Sequence, residues 1–235
     1  FGLGFDVVDA LTGPAIGRAK SATFRTVDVV GLDTTAHVIG TMRDTLPDDP
    51  WRPHFEVPAV LAALVAKGAL GQKAGFYRKQ GREIQVLDPV AGDYRASAGV
   101  VDPEVAAILA IAHPGEKLGK LRAHPHPQAQ FLWAIFRDVF HYCAHQLASI
   151  ADNARDVDLA IRWGFGWQMG PFETWQAAGW AGVAGWIAED VAAKKTLSAV
   201  PLPGWVSGDK VGAAKGVHAP GGAYSAARDA FVPRA

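Results

Sequence analysis

Asp156–Gly179, reading DVDLAIRWGFGWQMGPFETWQAAG, is the stretch on which the fold of this chain turns. An amphipathic run (Val157, Leu159, Ala160, Ile161, Trp163) breaks at Gly164-Phe165-Gly166-Trp167. Gly170-Pro171 follows, and a second short run (Phe172, Trp175, Ala178) stops at Gly179. Glycine serves where the backbone needs positive φ or close approach, and proline pre-sets φ for a first helical turn. The pattern is helix, tight bend, helix. A weaker copy lies near the start, Asp9–Asp33, DALTGPAIGRAKSATFRTVDVVGLD. With a one-residue slip, Asp9 overlays Asp158, Gly17 overlays Gly166, Phe24 overlays Phe172 and Gly31 overlays Gly179. An internal repeat of this length governs how the rest is read.

The chain has 235 residues, 49% hydrophobic and 20% charged, with 23 basic and 23 acidic side chains. That is enough for one large or two small cores. The balanced charge gives no footprint for nucleic acid or an anionic membrane. A lone cysteine, Cys143, excludes an internal disulfide framework and fits a reducing, cytoplasmic compartment. No apolar run is long enough to span a bilayer. The sequence opens at Phe1 in what reads as the tail of a helix, so a fragment of a longer protein is expected.

Outward from the repeats, Asp33 is a candidate cap for a helix through about Leu46, and Pro58–Ala66 reads as a short helix stopped by Gly68. Phe76-Tyr77-Arg78 and Glu83–Val86 flank Gln80-Gly81, which suggests one small β-hairpin. Asp102-Pro103 starts a helix over Glu104–Ala112. Pro127 opens the longest helix, to about Ala151, with an apolar stripe at Leu132, Ile135, Val139, Cys143, Leu147 and Ile150. A further helix is expected from about Trp180 to Lys195. Pro201–Ala235 is rich in Gly, Pro and Ala without periodicity, which reads as a linker or poorly ordered tail. The expected class is all-α with a minor hairpin near 76–87. The expected partition is a first repeat at 1–88, a connector with short helices at 89–124, a second repeat at 125–198, and a linker or tail at 199–235.

Few side chains point to chemistry. His141 and His145 have the i, i+4 spacing of two ligands on one helix face, but no third ligand follows, so no metal site is assigned. Cys143 lies on the apolar stripe and reads as a buried thiol. The six aromatics Trp163, Phe165, Trp167, Phe172, Trp175 and Trp180 read as a core corner rather than an acyl-chain groove. Lys20-Ser21 sits in the first bend just before a helix, where backbone N–H groups and a lysine could meet an anionic or carbonyl group. The plainer role for Ser21 is a helix cap.

DALTGPAIGRAKSATFRTVDVVGLD and DLAIRWGFGWQMGPFETWQAAG both resemble the signature of the C-terminal domain of 3-hydroxyacyl-CoA dehydrogenases. Leu70-Gly-Gln-Lys-Ala-Gly-Phe-Tyr77 is similar to that family's closing motif, shortened by a lysine-glycine pair. Two such motifs in tandem resemble the multifunctional β-oxidation proteins. The resemblance implies two helical repeats, like the C-terminal domain of 6-phosphogluconate dehydrogenase, packed as a pseudo-dimer in one chain. It implies oxidation of (S)-3-hydroxyacyl-CoA to 3-oxoacyl-CoA, with NAD held by an N-terminal Rossmann domain that this sequence lacks. It also implies an acyl-CoA substrate and a following enoyl-CoA hydratase domain as partners. No catalytic residue of the family can be placed here; Asn153 does not match the family's asparagine. On that basis the fragment alone is expected to be inactive, with Lys20, Ser21 and Phe24 forming one wall of the substrate cleft. The competing expectation is a non-catalytic helical scaffold or docking module.

Overall fold

A computed structural model describes residues 1–71 and 74–233. The chain is mostly helical, with two small antiparallel sheets, and divides into two compact units, Phe1–Pro103 and Glu104–Ala235. Gln72 and Lys73 of the closing motif lie outside the described residues.

The first unit runs α1 (Phe5–Thr12), α2 (Phe24–Val30), α3 (Leu32–Thr45), α4 (Ala59–Ala66) and a meander of β1 (Tyr77–Gln80), β2 (Glu83–Leu87) and β3 (Tyr94–Ala96). Gly17 turns the chain between α1 and α2 in the left-handed region, φ 73° and ψ 24°. Gly31, φ 107°, lets α3 start directly after α2. Helix α3 thus begins at Leu32, and Asp33 lies in its first turn rather than at the cap. The core gathers Phe5, Leu32, Leu61, Leu64, Phe76 and Val86. Phe5, Phe24 and Phe76 form a ring triad with centroids 4.5–4.8 Å apart. Such edge-on pairs contribute about 0.5–1.5 kcal/mol each beyond area burial.

The single hairpin expected near 76–87 is a three-stranded sheet. The Asp88 carboxylate accepts the N–H groups of Val90 and Ala91, turning the chain back so that Leu87 pairs with Tyr94. A strand of three residues carries no periodicity, which is why the pattern of residues does not announce it.

The second unit holds α5 (Pro103–Leu109), α6 (Pro114–Ala123), α7 (Pro127–Ile150), α8 (Ala154–Phe165), α9 (Pro171–Ala177), α10 (Trp180–Ala192), α11 (Asp209–Ala214) and a second meander, β4 (His218–Ala219), β5 (Gly222–Ser225) and β6 (Ala230–Val232). The long helix buries Leu132, Trp133, Phe136, Phe140, His141, Ala144 and Leu147. Its inward face is therefore rotated from the expected stripe: Ile135 and Val139 are half-buried and Ile150 is exposed. The bulk of Trp133, Phe136 and Phe140 sets the face, since large rings dominate core energetics.

The stretch 199–235, expected to be a linker or tail, is folded as far as it is described. Val206, Val211, Val217, Ala223 and Tyr224 are buried. The Trp205 ring lies 6.1 Å from Trp180 and 5.3 Å from Tyr224, and the Trp180 indole N–H donates to Val206 O at 2.9 Å. Its glycines are not a sign of looseness. A Cβ at Gly222 would collide with the Val232 carbonyl, so glycine is what lets β5 and β6 close.

The aromatic corner is smaller than the sequence suggests. Trp175 and Trp180 stack at 4.2 Å, with Phe140 and Phe172 around them. Trp163 and Phe165 are 80% and 62% exposed. The buried face of α8 is Ala154, Val157 and Asp158; at 3.6 residues per turn Trp163 falls opposite it, whereas Phe165 shares its phase and is exposed as the last residue of the helix.

Candidate functional site

Each unit is organised around a buried aspartate. In the first, α1 projects Asp9 at the start of α2, where its carboxylate accepts the N–H groups of Thr23 (3.0 Å), Phe24 (2.6 Å) and Arg25 (3.1 Å). Three otherwise unpaired helix-start donors are satisfied by one side chain from another element. Burial raises the Asp9 pKa, and the three N–H groups only partly offset that. Further along α2, Asp28 accepts the N–H groups of Phe76 and Tyr77, both at 2.8 Å, and fixes the start of β1. A Cβ at Gly75 would run into the Asp28 carboxylate, so the chain approaches there only as glycine. The Tyr77 phenol is pushed far up in pKa by burial and by the nearby Asp9 charge, and the Arg25 guanidinium lies 4.8 Å above its ring.

The second unit has a comparable set of contacts built from different side chains. Asp158 on α8 accepts the N–H groups of Phe172 (2.8 Å) and Glu173 (3.2 Å) at the start of α9. A Cβ at Gly170 would collide with it. The Gln176 amide bonds both the N–H and the carbonyl of His218, each at 2.9 Å. The His218 Nε2 then lies 2.7 Å from the second Asp158 oxygen. An ionised carboxylate can only accept, so Nε2 donates. Burial raises the Asp158 pKa against the lowering effect of His218.

Beside this pair, Arg155, Leu159 and Arg162 on α8, Glu173, Gln176 and Ala177 on α9, and His218 line a cleft of about 640 Å³. Spacings of four and three on α8 put its three residues on one face. Arg162 is held 3.0 Å from Glu173, whose other oxygen accepts the Gly170 N–H at 2.8 Å.

The residues singled out in the sequence are placed as follows. Lys20 is exposed in the turn before α2. Ser21 does not cap that helix; its Oγ accepts from Thr26 Oγ1 at 2.8 Å. Phe24 belongs to the core triad. The backbone N–H groups expected to meet a ligand there are already taken by Asp9, which leaves the lysine and the hydroxyl as the groups the turn presents. His141 is fully buried with Nε2 2.9 Å from Val200 O, and burial depresses its pKa. Cys143 is pushed up to about 12 by burial. Among the described residues no group of three His, Cys, Asp or Glu could hold a metal ion. Asn153 caps α8 through the Arg155 N–H at 3.0 Å.

Residues 3–79, which span α1 to the start of β1, match the family model of the 3-hydroxyacyl-CoA dehydrogenase C-terminal domain. Residues 3–79 carry the C-terminal domain found in 3-hydroxyacyl-CoA dehydrogenases. A Bacillus subtilis protein named as a 3-hydroxyacyl-CoA dehydrogenase is 38% identical over 201 residues, 85% of this chain and 24% of that protein. One from Deinococcus radiodurans is 47% identical over 81 residues, 34% of this chain and 22% of its own length. A Rickettsia felis protein named as a fatty acid oxidation complex trifunctional enzyme is 23% identical over 207 residues, 86% of this chain and 27% of that protein. The chain thus spans about a quarter of the length of the curated relatives it matches. No solved structure matches it.

Asp9, Asp28, Asp158 and His218 are the residues whose roles sequence reasoning missed. The overlay paired Asp9 with Asp158, and a shared aspartate ahead of a helix start was the available signal. Asp28 meets β1 48 and 49 residues away, and His218 meets Asp158 across 60, distances at which spacing carries no sign of contact.

Proposed function

We propose that the chain is the C-terminal helical part of an NAD-dependent enzyme that oxidises (S)-3-hydroxyacyl-CoA to 3-oxoacyl-CoA in fatty-acid β-oxidation. The similarity to dehydrogenases over most of the chain carries this reading. Neither described sheet suits a dinucleotide: both are three-stranded antiparallel meanders, without the parallel strand, glycine-rich turn and helix that cradle a pyrophosphate. The cofactor is therefore assigned to a domain outside these residues, and the fragment alone to an inactive state. Rossmann and enoyl-CoA hydratase domains in the same longer protein belong to the same reading.

In this reading the two units are two copies of one helical plan, paired as a pseudo-dimer. The parallel contacts of Asp9 with Asp158 and of Asp28 with Gln176 support it. The first unit supplies a wall of the acyl-CoA cleft through Lys20, Ser21 and Phe24. Hydride transfer needs the carbon and the nicotinamide held in near-attack geometry with water excluded, which a rigid wall provides. Here the rigidity comes from Asp9, which locks the turn to α1, and from Phe24, seated between Phe5 and Phe76. Lys20 then presents its ammonium to an anionic or carbonyl group of the substrate.

Calorimetric titration of the fragment and of the intact protein with NADH and with acetoacetyl-CoA tests this reading. NADH binding by the intact protein alone supports it. NADH binding by the fragment overturns the cofactor assignment, and an intact protein that binds neither compound favours a non-catalytic scaffold.

A further inference from the structure

In the first unit, the face of α1 that carries Asp6 and Ala10 is covered by the protein's own chain. Asp6 accepts two guanidinium N–H bonds from Arg95, both at 2.9 Å, and the N–H groups of Ala98 (3.0 Å) and Gly99 (3.1 Å). The backbone runs so near that a Cβ on Gly99 would stand 3.7 Å from the Ala10 Cβ. The anchor is an anion and its cover supplies donors.

Strand register and the aspartate overlay locate the same place in the second unit. Tyr77 pairs with Val86 and Val86 with Arg95; His218 pairs with Ala223 and Ala223 with Val232. With Asp9 on Asp158, Asp6 falls on Arg155 and Ala10 on Leu159. The sign of the anchor is reversed, and Val232 replaces the arginine that reached it. Here the face stands open as the 640 Å³ cleft. Arg162 is balanced by Glu173, whereas the half-buried Arg155 makes no side-chain ion pair with the described residues. His218 has Nε2 committed to Asp158, and its side chain belongs to the cleft lining.

We propose that this cleft binds a small anionic ligand through a carboxylate or phosphate group held by Arg155, with Arg162 and His218 beside it and Leu159 beneath. The planar guanidinium suits both groups, since each offers two oxygens to its fork. The charge follows from the cleft's own residues. The correspondence with the covered face rests on the two-copy reading given above.

The test is a titration of the full 235-residue chain with inorganic phosphate and, separately, with succinate, read by NMR at the His218 ring. A saturable shift that Arg155→Ala weakens about tenfold or more, and that the exposed control Arg228→Ala leaves unchanged, supports the site. Arg155→Lys, which keeps the charge and loses the fork, falls between, and a circular dichroism spectrum confirms that each variant folds. Response to phosphate alone assigns a phosphate ligand, to succinate alone a carboxylate, and to both an unselective anion site. No saturable response to either anion, or an equal response with and without Arg155, overturns the proposal. The readout is binding at the second unit, so it fails independently of turnover. The two-copy reading would instead fail if removing Asp9 and removing Asp158 had unlike structural consequences.

Discussion

His218 Nε2 lies 2.7 Å from Asp158 Oδ2, and this bond ties the first strand of the C-terminal sheet to α8. The same carboxylate holds the start of α9, so one buried aspartate joins a helix, a second helix and a sheet. In the first unit Asp9 holds a helix start in the same way, with the Tyr77 phenol beside it.

Replacing His218 with Ala leaves an Asp158 oxygen buried without that donor. Because the Glu173 N–H still reaches that oxygen, the loss should be about 1 kcal/mol, seen as a lower urea midpoint at unchanged slope. His218→Gln, which keeps a side-chain donor, should lose less. Equal losses from both would show that ring packing, not the bond, matters.

The pH dependence of the buried aspartates has a definite sign. Asp158, Asp9 and Asp28 all have folded pKa values raised mainly by burial. The folded state binds their protons more tightly than the unfolded chain, whose carboxylates titrate near ~3.9. Their contribution to stability therefore falls as pH rises from about 3.9 through the raised folded values, and is flat above them. Asp158→Asn should remove part of that slope, measured as unfolding free energy from mildly acidic to neutral pH. A slope unchanged in this variant and in the corresponding Asp9 and Asp28 variants would count against the raised values.

Asp6 behaves in the opposite way. Burial opposes its ionisation, but Arg95 and the N–H groups of Ala98 and Gly99 more than offset that and hold its pKa well below the usual carboxylate range. Its stabilisation is present above about pH 3.9 and lost as pH falls toward the folded value. Arg95 is 39% exposed, so solvent screens part of the pair. Arg95→Met should cost about 1–3 kcal/mol at neutral pH, with the gap to wild type narrowing in strong acid. A gap independent of pH would assign the loss to packing.

The bends and the helical class are legible in the sequence because glycine is demanded there by the backbone. Gly17 and Gly166 adopt nearly the same left-handed geometry, φ 73° and 67°, and each ends a helical segment ahead of a new helix start. The β4–β6 sheet is not legible, since GAYS and AFV are too short for an alternating pattern to stand out against a Gly/Ala/Pro-rich background. Trp163 and Phe165 mislead for a different reason: hydrophobic residues inside is a one-way rule, and helical phase puts Trp163 outside while Phe165, in phase with the buried face, is exposed as the last residue of α8. At the turn carrying Lys20 and Ser21, the sequence shows which groups are near one another but not that Asp9 had claimed the backbone donors.

Gly75→Ala and Gly216→Ala test whether close approach fixes both sheets. A Cβ at Gly75 meets the Asp28 carboxylate, and one at Gly216 meets the Gln176 amide. Each substitution should destabilise by about 1–3 kcal/mol through displaced side chains, with Gly216 also bearing a φ of 147° that suits only glycine. Gly164→Ala, where an added Cβ meets nothing within 4 Å, is the control and should be near neutral in a thermal melt. Losses at all three positions would point to backbone effects rather than the two contacts.

The contrast between the two units is sharpest at Trp175 and Lys20. Trp175 is fully buried, stacks on Trp180 and Phe140, and donates its indole N–H to Trp180 O at 3.0 Å. Its truncation to Ala should cost about 3–5 kcal/mol and disturb the chain regardless of substrate. Lys20 is exposed and Ser21 makes one hydroxyl contact, so Lys20→Ala and Ser21→Ala should each move stability by no more than about 0.5 kcal/mol. If the first-unit turn is a wall of the acyl-CoA cleft, those two variants of the intact enzyme should lower kcat/KM while their melting curves stay near wild type. Turnover unchanged at both positions would move the wall elsewhere. Stability losses matching that of Trp175 would make the turn a structural corner instead.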